Sequence, residues 1–242
     1  MDKIFVAFQF LTILPLNIKR FKEELLPEST IYFPLVGLTL GGFLVALEYC
    51  LSGMLPLEII SIVQVAFLAL ITGGLHLDGF ADTIDGIGRS KSPEERMQAM
   101  KDSRVGPMGA VGLIFLLILK YNSLALINQG LKTYAALIFP MASRWAMVLA
   151  IFLSSQKSHT GIGNMFQKQI KEKHFIMSSI LPFIIMIYLF ESLGLIGLIG
   201  LSFVVFALFK LLLKDFGKIT GDHFGFINET IELIVLLLFL AI

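Results

Sequence analysis

Charge is scarce in this sequence. Asp, Glu, Lys and Arg make up 15% of its 242 residues, where a soluble domain carries roughly 25%. That deficit excludes a surface that faces water on all sides. Apolar residues take the vacated share, at 56% of the chain and a mean hydropathy of +0.85, so lipid must cover much of the outside. Cysteine is nearly absent as well. The single thiol, Cys50, excludes an intrachain disulfide; lying in an apolar run, it is expected to be a buried structural residue. A formal net charge of +1 argues neither for nor against nucleic acid, and no nucleic-acid partner is expected.

Long hydrophobic runs are what the chain has in abundance. Seven segments are apolar over about the ~20 residues that a membrane crossing needs, at 30–51, 57–77, 108–127, 133–153, 175–190, 194–213 and 223–242. The N-terminal run from Ile4 to Leu16 is short for a span. It also lacks the small-residue cleavage site of a signal peptide, and it leads through Pro15 into Lys19, Arg20 and Lys22. It reads as a re-entrant or interfacial helix. The expected fold is therefore all-α: a polytopic integral membrane protein of about seven transmembrane helices plus that N-terminal helix. No soluble domain is left over, so 1–242 forms a single membrane-embedded domain. Of the 19 Lys and Arg residues, all but Lys120, Lys132 and Arg144 fall on one side of this arrangement. The positive-inside rule puts that side, with the N-terminus and the two long polar loops, in the cytoplasm. Gly37 and Gly41 form a Gly-x-x-x-Gly pair, and Gly194, Gly197 and Gly200 open the sixth span; both sets suit close helix packing.

The most informative stretch is Thr72-Gly-Gly-Leu-His-Leu-Asp-Gly-Phe-Ala-Asp-Thr-Ile-Asp-Gly-Ile-Gly-Arg89. On a helix, at about 100° per residue, Asp78, Asp82 and Asp85 fall within roughly 60° of one another, with Arg89 on the same stripe. Three carboxylates converging at the end of a span repel one another and are expensive to desolvate. A divalent cation offsets that, and oxygen-only ligands at this density suit Mg²⁺ or Mn²⁺ rather than zinc. The competing reading is a solvated acidic loop, which the apolar neighbours Leu75, Leu77, Phe80, Ala81 and Ile84 argue against. His76 is either a ligand or phosphate contact, or a hydrogen-bonded structural histidine.

A second acidic group closes the chain. Asp222, Glu229 and Glu232 fall within about 100° on the last span, and Glu229 would lie roughly 10 Å deeper than Asp222. Carboxylates at that depth need a cavity or a cation; Arg144 in the fourth span is the candidate partner. Lys120 in the third span either contacts a ligand or snorkels toward the outer face. Between the two groups, Ser92-Pro-Glu-Glu95 is a capping box with proline in the first helical position, so a short helix is expected to run to about Ser103. It delivers Lys101, Asp102 and Arg104 next to Gly106-Pro107, where they either hold phosphate oxygens or form a solvated basic face. Gly161-Ile-Gly-Asn-Met-Phe166 offers backbone N–H groups to a phosphate, although Gly-x-Gly alone is weak evidence.

Taken together, these residues resemble one family. The stretch from Thr72 to Gly86 is similar to the signature of the cobalamin synthases, the adenosylcobinamide-GDP ribazoletransferases. The likeness extends over nearly the whole chain, through Phe33-Pro-Leu-Val-Gly37, Met100-Lys-Asp-Ser-Arg104 with Gly106, Ser143-Arg144, Gly161-Ile-Gly-Asn-Met-Phe166, and Thr220-Gly-Asp222 with Gly225, Glu229 and Glu232. One local departure is Phe226, where the family usually has a small residue. The resemblance implies that adenosylcobinamide-GDP reacts with α-ribazole or its 5′-phosphate, giving adenosylcobalamin or its 5′-phosphate and GMP. It implies Mg²⁺ as cofactor and a prokaryotic inner or plasma membrane as the location, with the active site facing the cytoplasm. Besides the two substrates, the expected partners are membrane lipid, with a homo-oligomer or association with other cobalamin-assembly enzymes left open. On this reading Asp78, Asp82 and Asp85 hold the metal, and Asp82, Asp85, Asp222 and Glu229 are catalytic. His76, Arg89, Lys101, Asp102, Arg104, Arg144, Gly161, Gly163, Asn164 and Glu232 then bind substrate. Asp82-x-x-Asp85-Gly86 also matches the opening of the CDP-alcohol phosphatidyltransferase motif, but Arg89 comes one residue early and the downstream Asp spacing differs. An ion-coupled transporter would use the same intramembrane carboxylates; its expected sign, matching broken helices in two halves of the chain, is not evident.

Overall fold

The computed structural model describes residues 2–16, 25–89, 92–102, 104–155 and 170–242, and of Arg89 the backbone only. Among them every regular element is helical: α1 (Asp2–Leu11), α2 (Leu25–Ser29) with a 3₁₀ turn at Thr30–Tyr32, α3 (Phe33–Leu51), α4 (Leu57–Ile71), α5 (Leu75–Arg89), α6 (Pro93–Ala99), α7 (Pro107–Leu126), α8 (Gln129–Ser155), α9 (Glu172–Phe216) and α10 (Gly221–Ala241). Among the described residues five helical stretches are long and apolar enough to cross a membrane, and α4 with α5, bent by 89°, makes a sixth candidate. The protein is thus an all-α, multi-pass membrane protein.

The hub is α8. Every residue from Ile138 to Ile151 is buried, as expected of a largely apolar helix enclosed by its neighbours, whose one charge in this stretch, Arg144, is paired. The Gly-x-x-x-Gly pair docks α3 against it: a methyl added at Gly37 would sit 2.2 Å from the Pro140 carbonyl oxygen, and one at Gly41 2.7 Å from that of Ala136. Pro140 has no N–H, so the Ala136 carbonyl lacks its usual donor and is covered instead by the backbone of α3.

Two of the expected spans are built differently. The segment expected to cross unbroken over 57–77 stops at Ile71. Gly73 and Gly74 both take left-handed backbone angles, with φ of 61° and 70°, which side-chain-bearing residues rarely adopt. The chain turns there, and α5 lies across the N-termini of α7 and α10. The two spans expected at 175–190 and 194–213 are arms of α9, broken only at Glu191 (φ 51°, ψ −127°). Gly194 lies against the Met186 carbonyl; eight residues of straight helix would separate the two by ~12 Å, so the chain folds back. Phe175 beside Phe152 and Phe190 beside Tyr134 show the first arm running antiparallel to α8.

Smaller differences have local causes. Cys50, expected to be buried, is exposed, because the end of α3 leads into the exposed turn 52–56 and no other described residue covers it. The capping box forms, with Ser92 Oγ accepting from Glu95 N at 3.3 Å, but α6 ends at Ala99 rather than near Ser103. The N-terminal helix α1 buries Val6, Ala7 and Leu11, and Ile13 N donates to the Ile71 carbonyl at 2.8 Å just where α4 ends.

Candidate active site

The bend after α4 decides where the acids go. Asp85 is buried, and it receives the backbone N–H of Gly106 at 2.6 Å and of Gly109 at 3.0 Å. Its carboxylate therefore caps α7 from another helix, charge meeting the positive end of the helix dipole. The approach needs bare backbone, since a methyl at Gly106 or Gly109 would fall 2.3 or 2.4 Å from an Asp85 oxygen. Each of these oxygens accepts one N–H and retains a second lone pair.

About two helical turns earlier, α5 crosses α10. Gly79 meets the backbone of Asp222, and Gly225 meets that of His76. Asp78 is exposed, Asp82 and Asp222 are half-buried, and the charged groups acting most on Asp82 are Asp78, Asp222 and Asp85. Asp222 accepts a hydrogen bond from Thr220 Oγ1 at 3.3 Å. Among the described residues neither Asp78 nor Asp82 has a hydrogen-bond donor or a cationic partner. The acidic stripe expected from the sequence thus exists and gains Asp222 from the far end of the chain. On the other side of the crossing, Phe226 stacks on Phe80 with centroids 5.4 Å apart, so this departure from the family pattern fastens the two helices together.

The tightness of that crossing is testable. A methyl at Gly79 would lie 2.6 Å from the Asp222 carbonyl oxygen, and backbone cannot step aside as a flexible side chain can. Gly79→Ala is expected to destabilise the fold by about 1–3 kcal/mol, read as a lower thermal unfolding midpoint in detergent. Gly200→Ala, where nothing lies within 4 Å, is the matched control and should leave the midpoint unchanged or raise it slightly, since alanine suits a helix interior better than glycine.

Deeper in the bundle, Glu229 and Glu232 of the second acidic group are paired with cations, whereas Asp222 stands at the crossing. Lys120 Nζ donates to Glu229 Oε2 at 2.5 Å and to Glu232 Oε2 at 2.6 Å. Arg144 Nη1 pairs with Glu232 Oε1 and donates to Ser143 Oγ at 3.0 Å, while Asn228 Nδ2 reaches both glutamates at 3.3 Å. All of these side chains are buried. Two cations and two anions balance, which is the condition for holding charge at this depth. Arg144 partners Glu232 as expected. Lys120 neither snorkels nor stands free. Beside this network is an internal space of about 20 Å³, lined by Lys120, Arg144, Glu229 and Glu232 among others.

A larger cavity of about 220 Å³ opens at the acidic crossing. Phe10, Met147, Ile151 and Phe224 form its apolar wall, and His76, Asp78 and Asp222 its polar side. His76 bridges the two regions, its Nδ1 3.5 Å from Arg144 Nη2.

The basic loop residues stand apart. Arg104 is exposed and holds Asp102 through Nε and Nη2, both at 3.1 Å. Lys101 lines an open groove with Lys218 between α6 and the end of α9. The side chain of Arg89, and Gly161, Gly163 and Asn164, lie outside the described residues. Two members of the site escaped the sequence reading. Asn228 was signalled by its four-residue spacing to Glu232, which is one helical turn. His223, whose Nδ1 accepts from Thr220 N at 2.9 Å, was signalled by Thr220-x-x-His223, the spacing of a helix cap.

Known proteins resemble the chain over nearly its whole length. A family described as Cobalamin-5-phosphate synthase matches residues 3–240. Among curated relatives, the adenosylcobinamide-GDP ribazoletransferase of Geotalea daltonii is 39% identical, covering 98% of this chain and 96% of its own length. Proteins of the same name from Caldanaerobacter subterraneus and a Roseiflexus species are 34% and 33% identical, covering 98% and 95% of this chain and 96% and 86% of theirs. No solved structure matches the chain.

Proposed function

The chain belongs to the cobalamin-5-phosphate synthase family, and on that premise we propose that it transfers the adenosylcobinamide-phosphate moiety of adenosylcobinamide-GDP to α-ribazole or its 5′-phosphate, releasing GMP. It is an enzyme of cobalamin synthesis. The observation that carries the catalytic reading is the α5–α10 crossing, which gathers Asp78, Asp82, Asp85 and Asp222 without a cation among the described residues.

Those residues fit Mg²⁺. They are hard oxygen donors, and their mutual repulsion needs a positive charge. Among the described residues no three His, Cys, Asp or Glu side chains enclose an ion by themselves, so a metal bound here would have to take further ligands from water and substrate phosphate oxygens. Asp78, Asp82 and Asp85 would hold it. Bound there, Mg²⁺ would neutralise diphosphate oxygens and make GMP a better leaving group.

In the transfer itself, a ribazole hydroxyl forms a P–O bond to the phosphorus attached to cobinamide. The bridging P–O bond to GMP breaks in line, and GMP departs with the electron pair. The hydroxyl proton goes to Asp222. That carboxylate is half-buried, lines the cavity and is oriented by Thr220 Oγ1. Glu229, the alternative base, is held by Lys120 and Asn228.

The same proposal carries an orientation. The acids lie at the bundle end that carries Arg96, Lys101, Arg104, Lys171, Lys173, Lys214 and Lys218, so the positive-inside rule turns the site toward the cytoplasm of a prokaryotic cell. The test is direct: the purified, lipid-reconstituted protein given adenosylcobinamide-GDP, α-ribazole and Mg²⁺ should release GMP in step with corrinoid product. A folded protein that releases none would sink the proposal.

A further inference from the structure

We infer that the groove between α6 and the end of α9 receives the GMP half of the donor, with the Glu94 carboxylate accepting from the guanine edge and Lys101 and Lys218 pairing with the phosphate. The inference rests on the transferase reading and assigns a subsite within it.

The walls of the groove are fixed, and its size suits a nucleotide. Arg96 Nη1 pairs with Asp215 Oδ1 at 3.0 Å, and a methyl at Gly217 would sit 3.8 Å from Pro93 Cβ, so α6 is fastened to the end of α9. The space between them is about 760 Å³, within the range of roughly 300–1,000 Å³ that takes a small ligand. Met97 and Phe216 close its floor. That floor reaches the acidic crossing: a methyl at Gly86, next to Asp85, would lie 2.7 Å from the Phe216 ring and 3.1 Å from Met100 Cγ. On one wall Lys218 leads through a short turn to Asp222. On the other, Lys101 leads to Gly106, whose N–H donates to Asp85. A leaving group cleaved at the acids therefore has a basic groove beside it.

The polar groups that line it are accessible and follow one another in order. Glu94, Gln98 and Lys101 are exposed, and spacings of four and three residues put them on one face. Lys101 N donates to the Gln98 carbonyl at 3.1 Å, which carries the helical path of α6 one step past Ala99. Glu94 and Lys101 are then about two turns, or ~10 Å, apart along the axis, close to the separation of a purine's Watson–Crick edge from its 5′-phosphate. Among the described residues Glu94, Lys101 and Lys218 make no ion pair. A carboxylate only accepts. Guanine presents N1–H and its 2-amino group side by side, which two carboxylate oxygens take together. Adenine presents a lone pair at N1 and is repelled. Gln98, between the two ends, offers its amide to the ribose hydroxyls. Inorganic phosphate or an anionic lipid headgroup would satisfy the lysines and leave Glu94 beside a like charge.

Equilibrium binding of GMP, AMP and inorganic phosphate to the intact protein in phosphatidylcholine vesicles tests the assignment. Wild type is expected to hold GMP about 10-fold more tightly than AMP. Glu94→Ala should bring the two within about 2-fold of each other by weakening GMP alone. Lys101→Ala with Lys218→Ala should weaken both by about 10-fold at low ionic strength and keep their ratio. Equal affinity of the wild type for GMP and AMP, or a preference that Glu94→Ala leaves intact, would overturn the subsite. So would phosphate binding as tightly as GMP, or a GMP affinity that the double lysine variant does not change. The wild-type comparison needs no variant to fold. In each of these cases GMP release from adenosylcobinamide-GDP would leave the transferase function standing. Absence of that release from folded protein would overturn the function itself, and the subsite with it.

Discussion

Asp82→Asn is expected to abolish transfer, lowering kcat by about 10³-fold or more, while the protein folds and inserts as before. The stability half of this expectation follows from the neighbours. The charges that act most on Asp82 are Asp78, Asp222 and Asp85, so replacing it with a neutral isostere relieves repulsion and removes no ion pair. Without metal, the variant should unfold at the same temperature as wild type or higher. With metal, the order should reverse. Anything bound only by the folded state stabilises that state, so Mg²⁺ should raise the unfolding midpoint of the wild type and have little effect on Asp82→Asn. GMP release and thermal unfolding with and without Mg²⁺ test both halves. Full activity in the variant would remove Asp82 from the metal site. A lower midpoint in the absence of Mg²⁺ would mean that Asp82 has a structural partner, which its surroundings do not suggest.

How much of this was legible in the sequence depends on the range of the interaction that decides each feature. Periodicity placed Asp78, Asp82 and Asp85 on one stripe because those residues lie within two turns of one helix, and helix geometry is local. Gly37 and Gly41 read correctly as a packing pair for the same reason. The break at Gly73 and Gly74 was written just as locally, but hydrophobicity alone carried the span across it to residue 77. What the stripe would face was not local at all. Asp85 turns to the N-terminus of α7, and Asp82 comes under the charge of Asp222 as well as of its own helix; both follow from the 89° bend. The two long spans of α9 were read correctly as apolar segments, yet their tight fold-back depends on one residue, Glu191, in a backbone conformation that composition does not signal. Lys120 shows the limit most clearly. A lone lysine in an apolar run suggests snorkelling until two glutamates from 109 and 112 residues away are found on its ammonium.

Lys120→Met should be among the most destabilising single changes in the bundle, by about 3–5 kcal/mol. The loss falls unevenly on its partners. Glu232 keeps Arg144, Ser143 and Asn228, whereas Glu229 keeps only the Asn228 amide at 3.3 Å. The orphan is therefore a carboxylate in the interior with no cation on it. Adding Glu229→Gln removes that charge and restores the balance to Arg144 with Glu232, so the double variant should regain much of the stability. A coupling of about 2 kcal/mol lies within the range for residues in one ionic network. Pairing Lys120→Met with Glu232→Gln should recover less, because it also strips Arg144 of its closest anion. Unfolding titrations of the single and double variants in mixed micelles would measure this order; equal recovery by the two double variants would contradict it. The same proteins separate structure from chemistry. With the proton taken by Asp222, the Lys120→Met, Glu229→Gln variant should retain GMP release once folded. A fall of about 10²-fold or more in a folded double variant, the usual contribution of a general base, would move that role from Asp222 to Glu229 and make Lys120 the group that tunes it.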